Sequence, residues 1–272
     1  MGRHWTLADI AWEAFDRAKV DPDLLLAVKA AAMVEHHSDD YVTYLCNVFH
    51  DDPAFQDAAR AWGAEEVQHG MALRRWAELA DPTFDFDASF ARFKQGHILP
   101  LDATQSVRGN RTNELVARCV VEVGTSSFYS AMRDAADEPV LKQICAKIAG
   151  DEFRHYKLFY SNSQRYRDAE RSGLWDRVRA SLVRLAESDD DELAYAFYCG
   201  SGAPGPYERR AFSRAYARRA FPLYRYGHVQ RGLGMVMKAV GIDPQGRIAE
   251  AVTRAAWWLF RARVRYLERV AA

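Results

Sequence analysis

Two stretches of this chain, WGAEEVQHG at 62–70 and IAGDEFRHY at 148–156, carry the same order of groups: an acid, then Glu, two spacers and His. They belong to a longer repeat. Pro53 precedes Glu66 by thirteen residues, and Pro139 precedes Glu152 by thirteen. Glu35 lies 31 residues before Glu66, and Glu122 lies 30 before Glu152. A pattern repeated in one frame over that length demands two alike helical hairpins, because Asp-Pro and Glu-Pro pairs open helices and apolar residues follow at helical spacing.

On helices, that spacing decides where the groups point. The second long helix has an inward stripe of Phe55, Ala59, Trp62, Glu66, His69, Leu73 and Trp76; the fourth has Leu141, Cys145, Ile148, Glu152, His155 and Phe159. The first stripe runs Val28, Ala32, Glu35, Asp39, Val42 and Cys46, and the third runs Leu115, Cys119, Glu122, Ser126 and Tyr129. Residues at i and i+3 share a face, so each hairpin aims two carboxylates and one imidazole at an apolar core. Buried, uncompensated carboxylates cost many kcal/mol. Two divalent cations balance four carboxylates, and two neutral imidazoles complete the ligand set without adding charge. Bridging carboxylates hold such ions about 3.5–4 Å apart, a separation suited to joint chemistry on one small molecule. One Glu from each of two helices, with Glu-x-x-His from each of the other two, is a known way to hold two metals in a bundle core. A lone Glu-x-x-His is more often a surface ion pair; the matched pair with its upstream acids is specific.

These motifs resemble those of the ferritin-like di-iron carboxylate proteins over roughly residues 22–170. The resemblance implies an all-α, ferritin-like four-helix bundle, with Glu35, Glu66, His69, Glu122, Glu152 and His155 as ligands of two iron ions, and Glu66 and Glu152 as bridges. Manganese or a mixed manganese–iron pair suits the same N/O donors. The third helix is most similar to the acyl-carrier-protein desaturase branch, where Thr125 falls at the position of a hydroxyl beside the oxygen pocket. Asp151 matches an acid that holds the imidazole of the opposite motif, here His69, and such acids fix the tautomer. Position 73 is Leu where the ribonucleotide reductase small subunit has its tyrosine, no Cys-rich iron module is present, and Ile148 stands where arylamine oxygenases have a His. The function implied is an oxidase or oxygenase that uses O2 to hydroxylate or desaturate a small organic or acyl substrate, supplied with electrons by a separate reductase. The rival readings are a ferroxidase without organic substrate and a mainly structural bundle.

Along the rest of the chain, the pattern predicts a helix over Leu7–Lys19, one long helix from Asp21-Pro22 to about Asn47, and a short helix around Ala88–Phe93. HILPLDATQSVRGN at 97–110 is a long loop, and further helices follow Gly173. Residues 1–172 form the expected bundle with its N-terminal helix, and 173–272 a helical extension packed on it. Asp189, Asp190 and Asp191 suit a helix N-cap with solvated neighbours. His36 and His37 rotate away from Glu35 and serve packing or surface. Tyr129, Tyr156, Tyr160 and Trp62 fit core packing, with electron relay as the alternative; Thr125 and Ser126 are candidates for oxygen or proton handling.

Half the residues, 49%, are hydrophobic, enough for a sizeable core. No apolar run approaches the roughly 20 residues of a membrane span, and no secretory signal is visible. Cys46, Cys119, Cys145 and Cys199 stand singly, which suits a reducing cytoplasm. Net charge is zero, yet residues 201–272 hold thirteen Arg and one Lys against four acids. Such a surface suits an acidic carrier protein, or else a solvated helix face or packing on the chain's own acidic half; no nucleic-acid motif accompanies it. A homodimer is common among the resembling proteins.

Overall fold

The computed structural model describes residues 4–187 and 191–269, and among them it is all-helical. Three of the four core helices begin at the Pro signals, and the remaining one begins after the Asn110 cap. Helix α1 spans Pro22–His36 and continues, after one residue, as α2 (Ser38–Val48). Helix α3 spans Pro53–Ala80, α5 Arg111–Ala135 and α6 Pro139–Ala169, with the short α4 (Phe86–Gly96) and the 97–110 loop between α3 and α5. Side-chain caps fix the starts: Asp21 accepts from the N–H groups of Asp23 and Leu24, Asp52 from Phe55, Asn110 from Asn113 and Glu138 from Leu141. Glu138 is 1% exposed, and it also accepts from Trp76 Nε1 at 2.7 Å and from the Asp16 N–H at 3.1 Å.

α1 pairs with α3, and α5 with α6, while α3 and α6 also touch. Helices α7 (Leu174–Glu187), α8 (Asp191–Ser201), α9 (Arg209–Ala220), α10 (Tyr226–Val240) and α11 (Arg247–Arg269) follow. α7 and α10 pack on α5, α8 packs on α1, and α11 reaches α9 and α10. The inward stripes expected on α3, α5 and α6 are buried throughout.

Two expectations are corrected. The segment 7–19 is three short 3₁₀ turns, Leu7–Asp9, Trp12–Ala14 and Arg17–Lys19, rather than one helix. Its internal backbone bonds close only single short turns, and other backbone groups bond to side chains of the bundle: Ala11 N–H to Gln143, Asp16 N–H to Glu138, and Asp9 C=O to the Gln143 amide. The helix expected to run unbroken to Asn47 breaks at His37, whose φ of −89° and ψ of 12° are not helical. Asp39 is therefore exposed rather than inward, and Tyr44, Leu45 and Val48 take over the buried face. The Asp189–Asp190 part of the proposed cap lies outside the described residues.

The break is seated on α3. Ser38 Oγ donates to Gly63 C=O at 3.0 Å. Two turns on, a Cβ at Gly70 would lie 2.7 Å from the His36 backbone N, closer than packed atoms approach. The missing side chain thus lets α1 come close enough to place Glu35 beside His69. Gly70→Ala is expected to cost about 1–3 kcal/mol in unfolding free energy, since backbone cannot rotate away as a side chain would. Denaturant unfolding measures this, and a loss well below that range would show that α1 can simply shift.

Candidate metal centre

The six expected ligands converge midway along the bundle. Glu35, Glu66, His69, Glu122, Glu152 and His155 are all buried, between 0% and 7% exposed. They form two overlapping sets in which ligand atoms lie within 4.8 Å of one another: Glu35, Glu66, His69 and Glu152, and then Glu66, Glu122, Glu152 and His155. Glu66 and Glu152 belong to both. Helical spacing alone produces this overlap, because each Glu-x-x-His helix projects its Glu toward the bundle axis and its His toward one end of the pair.

Burial and mutual repulsion push the carboxyls of Glu35 and Glu122 well above the usual range. Burial acts the same way on Glu66 and Glu152, but the two imidazoles overcome it and hold both below the usual range. Burial would lower His69 and His155. Hydrogen bonding from Asp151 on the first, and the charge of Glu66 on the second, outweigh that effect and raise both. With no cation present, the chain thus holds its buried carboxylates by keeping both imidazoles protonated. The neutral imidazoles expected of the metal-bound centre concern a different state, which these directions leave untouched.

Outside this set stands a second ring of groups. His69 Nε2 lies 2.9 Å from Asp151 Oδ2, the pairing expected between opposite motifs. His155 Nε2 lies 2.8 Å from Glu65 Oε2, its mirror image. Arg154 links the two acids, at 2.5 Å to Asp151 and 3.1 Å to Glu65. Burial would raise both acids, but their imidazole and Arg154 bonds hold them below the usual range. Thr125 Oγ1 donates to Glu152 Oε2 at 2.7 Å, so its hydroxyl does reach the site. Ser126 does not; its hydroxyl donates to Val123 C=O in its own helix.

Two contributors, Glu65 and Trp5, have no role assigned by the sequence pattern, and Tyr129 has one other than core packing or electron relay. Glu65 was legible in the repeat, since it precedes Glu66 as Asp151 precedes Glu152. Tyr129 lay on the inward stripe, and its hydroxyl donates to Glu35 Oε1 at 2.5 Å. Trp5 had no local signal: it donates from Nε1 to Asp151 at 2.6 Å and stacks on the His69 ring at 5.9 Å between centroids. The N-terminal segment thereby closes one side of the site.

The donor set fits metal ions on its own evidence. Glu122 Oε1, Glu152 Oε1 and His155 Nδ1 are buried without an aligned hydrogen-bond partner, although Glu66 Oε1 comes within 3.0 Å of that nitrogen. Buried polar atoms are rarely left so, and two hard-to-borderline cations would satisfy them together. A cavity of about 70 Å³ opens onto Glu35, Glu66, Glu122 and Glu152, with Val34, Tyr41, Trp62, Arg118, Val121 and Thr125 on its walls. A larger one, about 260 Å³ beside Ala217 and Val264, has no converging ligands, so the chemistry and not the size locates the site.

An all-helical bundle with two buried, overlapping Glu–His sets defines the ferritin-like di-metal carboxylate class. The model of the fatty acid desaturase family matches residues 35–173, from Glu35 itself through the second motif. The chain belongs to the fatty acid desaturase family. Comparison with curated proteins gives no match. No helix among the described residues is long and apolar enough to cross a membrane.

If the outer ring orients the imidazoles, Glu65→Gln should weaken metal binding about 10–100-fold while leaving the fold intact. Competition with a coloured chelator measures the affinity, and an unchanged value would reduce Glu65 to a surface ion-pair partner.

Proposed function

We propose that this chain is a di-iron oxidase that uses O2 and electrons from a separate reductase to desaturate, or otherwise oxidise, an acyl or similar organic substrate. The observation that carries it is the sharing of Glu66 and Glu152 between two buried ligand sets beside a cavity. When bound there, a pair of redox-active ions supplies the O2 chemistry that no side chain can. The closest motif likeness remains the acyl-carrier-protein desaturase branch, with residues 173–272 as an extension packed on the bundle.

The roles of the protein groups follow from their positions. Glu35, Glu66, His69, Glu122, Glu152 and His155 bind the metals, and Asp151 and Glu65 orient the imidazoles from outside. Thr125, bonded to Glu152 at the cavity wall, is placed to hold or pass a proton at that carboxylate oxygen. Val34, Trp62 and Val121 exclude water from the wall where a C–H bond would be presented. Exposed Arg210, Arg214 and Arg218 on α9 form a basic face for an acidic carrier. A cytoplasmic location and a homodimer complete the proposal.

The test is Fe(II) reconstitution with a reductant and O2, offering free and carrier-linked acyl chains. Products that have lost a hydrogen pair mean desaturation, and products that have gained one oxygen atom mean hydroxylation. Iron uptake continuing well past two per chain, with O2 consumed and no organic product, would replace this reading with iron handling.

A further inference from the structure

Outside the centre, three residues far apart in sequence meet beside the cavity, whose lining includes Glu192. His37 sits at the break between α1 and α2, His97 follows the last turn of α4, and Glu192 lies in the first turn of α8. One ligand atom of each lies within 4.8 Å of the others. His97 Nε2 is 3.4 Å from Glu192 Oε1, and the His37 and His97 rings are 5.6 Å apart between centroids. Tyr41 donates to Glu192 at 3.0 Å and stands 3.5 Å from His97 Nε2.

Hydrogen bonding does not account for His37. The residue is 2% exposed and packs edge-on against Phe93, yet neither ring nitrogen has an aligned partner. Asp40 Oδ2 lies 2.9 Å from Nε2 but outside hydrogen-bond alignment. A buried imidazole whose ring nitrogens lack aligned hydrogen bonds is destabilising, and an ion shared with His97 and Glu192 would satisfy it. Two imidazole nitrogens and one carboxylate make a ligand set that zinc and ferrous ions take, leaving a further coordination position open. The side chains of His97 and Glu192 are 19% and 12% exposed, so an ion can enter from solvent.

We propose a second, mononuclear site for one divalent ion of the zinc–iron class, held by His37, His97 and Glu192. It is separate from the six-residue centre, but Glu192 and Tyr41 line the cavity that reaches that centre. An ion there would tie together the α1–α2 break, the start of the 97–110 loop and α8.

The experiment counts metal in the full chain. Metal-free protein is titrated with Zn²⁺ alone, desalted and analysed by plasma mass spectrometry, for wild type, His97→Ala and Glu192→Gln. A parallel Co²⁺ titration reads the visible absorption of imidazole-bound cobalt. Each variant should hold one ion fewer per chain than wild type and lose part of the cobalt absorption. The same loss should appear when the two substitutions are made on a Glu122→Gln background, so failure of the di-metal reading would not disturb this result. Equal metal content in wild type and Glu192→Gln, with helical circular dichroism intact, would overturn the site even if His97→Ala failed to fold.

Discussion

Metal uptake by the metal-free chain is expected to release protons from His69, His155, Glu35 and Glu122. All four are held above their ordinary values in the absence of a cation. Ligation requires neutral imidazole and ionised carboxylate, so each incoming ion displaces protons. Titration calorimetry in buffers of different ionisation enthalpy measures the number released. The same shifts set the pH dependence of stability. A His raised in the folded state stabilises fully below its unfolded value, and that contribution is lost as pH rises through the folded value. A carboxyl raised in the folded state also disfavours folding as pH rises past its unfolded value. Metal-free stability is therefore expected to fall from near neutrality toward alkaline pH, while metal affinity rises over the same window. At an ion concentration about 1,000 times Kd, each site adds about 4 kcal/mol. For a chain of this length that is roughly 8–16 °C in Tm per site, with the gap wider at about pH 8 than at about pH 6. Differential scanning calorimetry with and without metal checks it. A Tm insensitive to metal at both pH values would mean that the buried acids are satisfied by the protein alone.

The centre was legible in sequence because its ligands obey helical spacing within long, capped helices. Position 66 and position 69 must share a face on any helix, and the repeat ties that face to positions 152 and 155. The departures occur where tertiary contacts override local pattern. Nothing in VEHHSDDY announces a break at His37; the cause is on another helix, where Gly63 and Gly70 let α1 and α2 approach. Leu7–Lys19 has the residues of a helix, yet Gln143 and Glu138 offer its backbone other partners. Trp5 and Glu192 reach the site or the cavity beside it from segments more than a hundred residues from some of their partners, a distance over which periodicity carries no information. Charge balance in the metal-bound chain carries no information about the metal-free one, where both imidazoles are raised and protons face the buried carboxylates.

Substituting two of the proposed ligands in the same way should give opposite results in the metal-free protein. Glu122 is buried with its carboxyl raised by burial and by Glu152 and Glu66, so it folds as the neutral acid. Glu122→Gln keeps its shape and its neutrality, and the metal-free chain should change by less than about 1 kcal/mol. Glu66 is ionised and lies 3.0 Å from His155 and 3.2 Å from His69. Glu66→Gln leaves those imidazoliums short of a counter-charge, and breaking a buried pair costs about 3–5 kcal/mol. With metal the two variants should converge. Each removes a ligand, so affinity should fall by more than the roughly 100-fold upper bound for an orienting residue, and oxidation rate by at least as much. A purely structural bundle makes a different forecast, because its acids would contribute only to the metal-free fold and neither variant would alter metal binding. Denaturant unfolding of both variants, with and without Zn²⁺, separates the cases. Equal destabilisation of the two metal-free variants would show that Glu66 and Glu122 share one charge state, and the division of labour between these two carboxylates would be wrong.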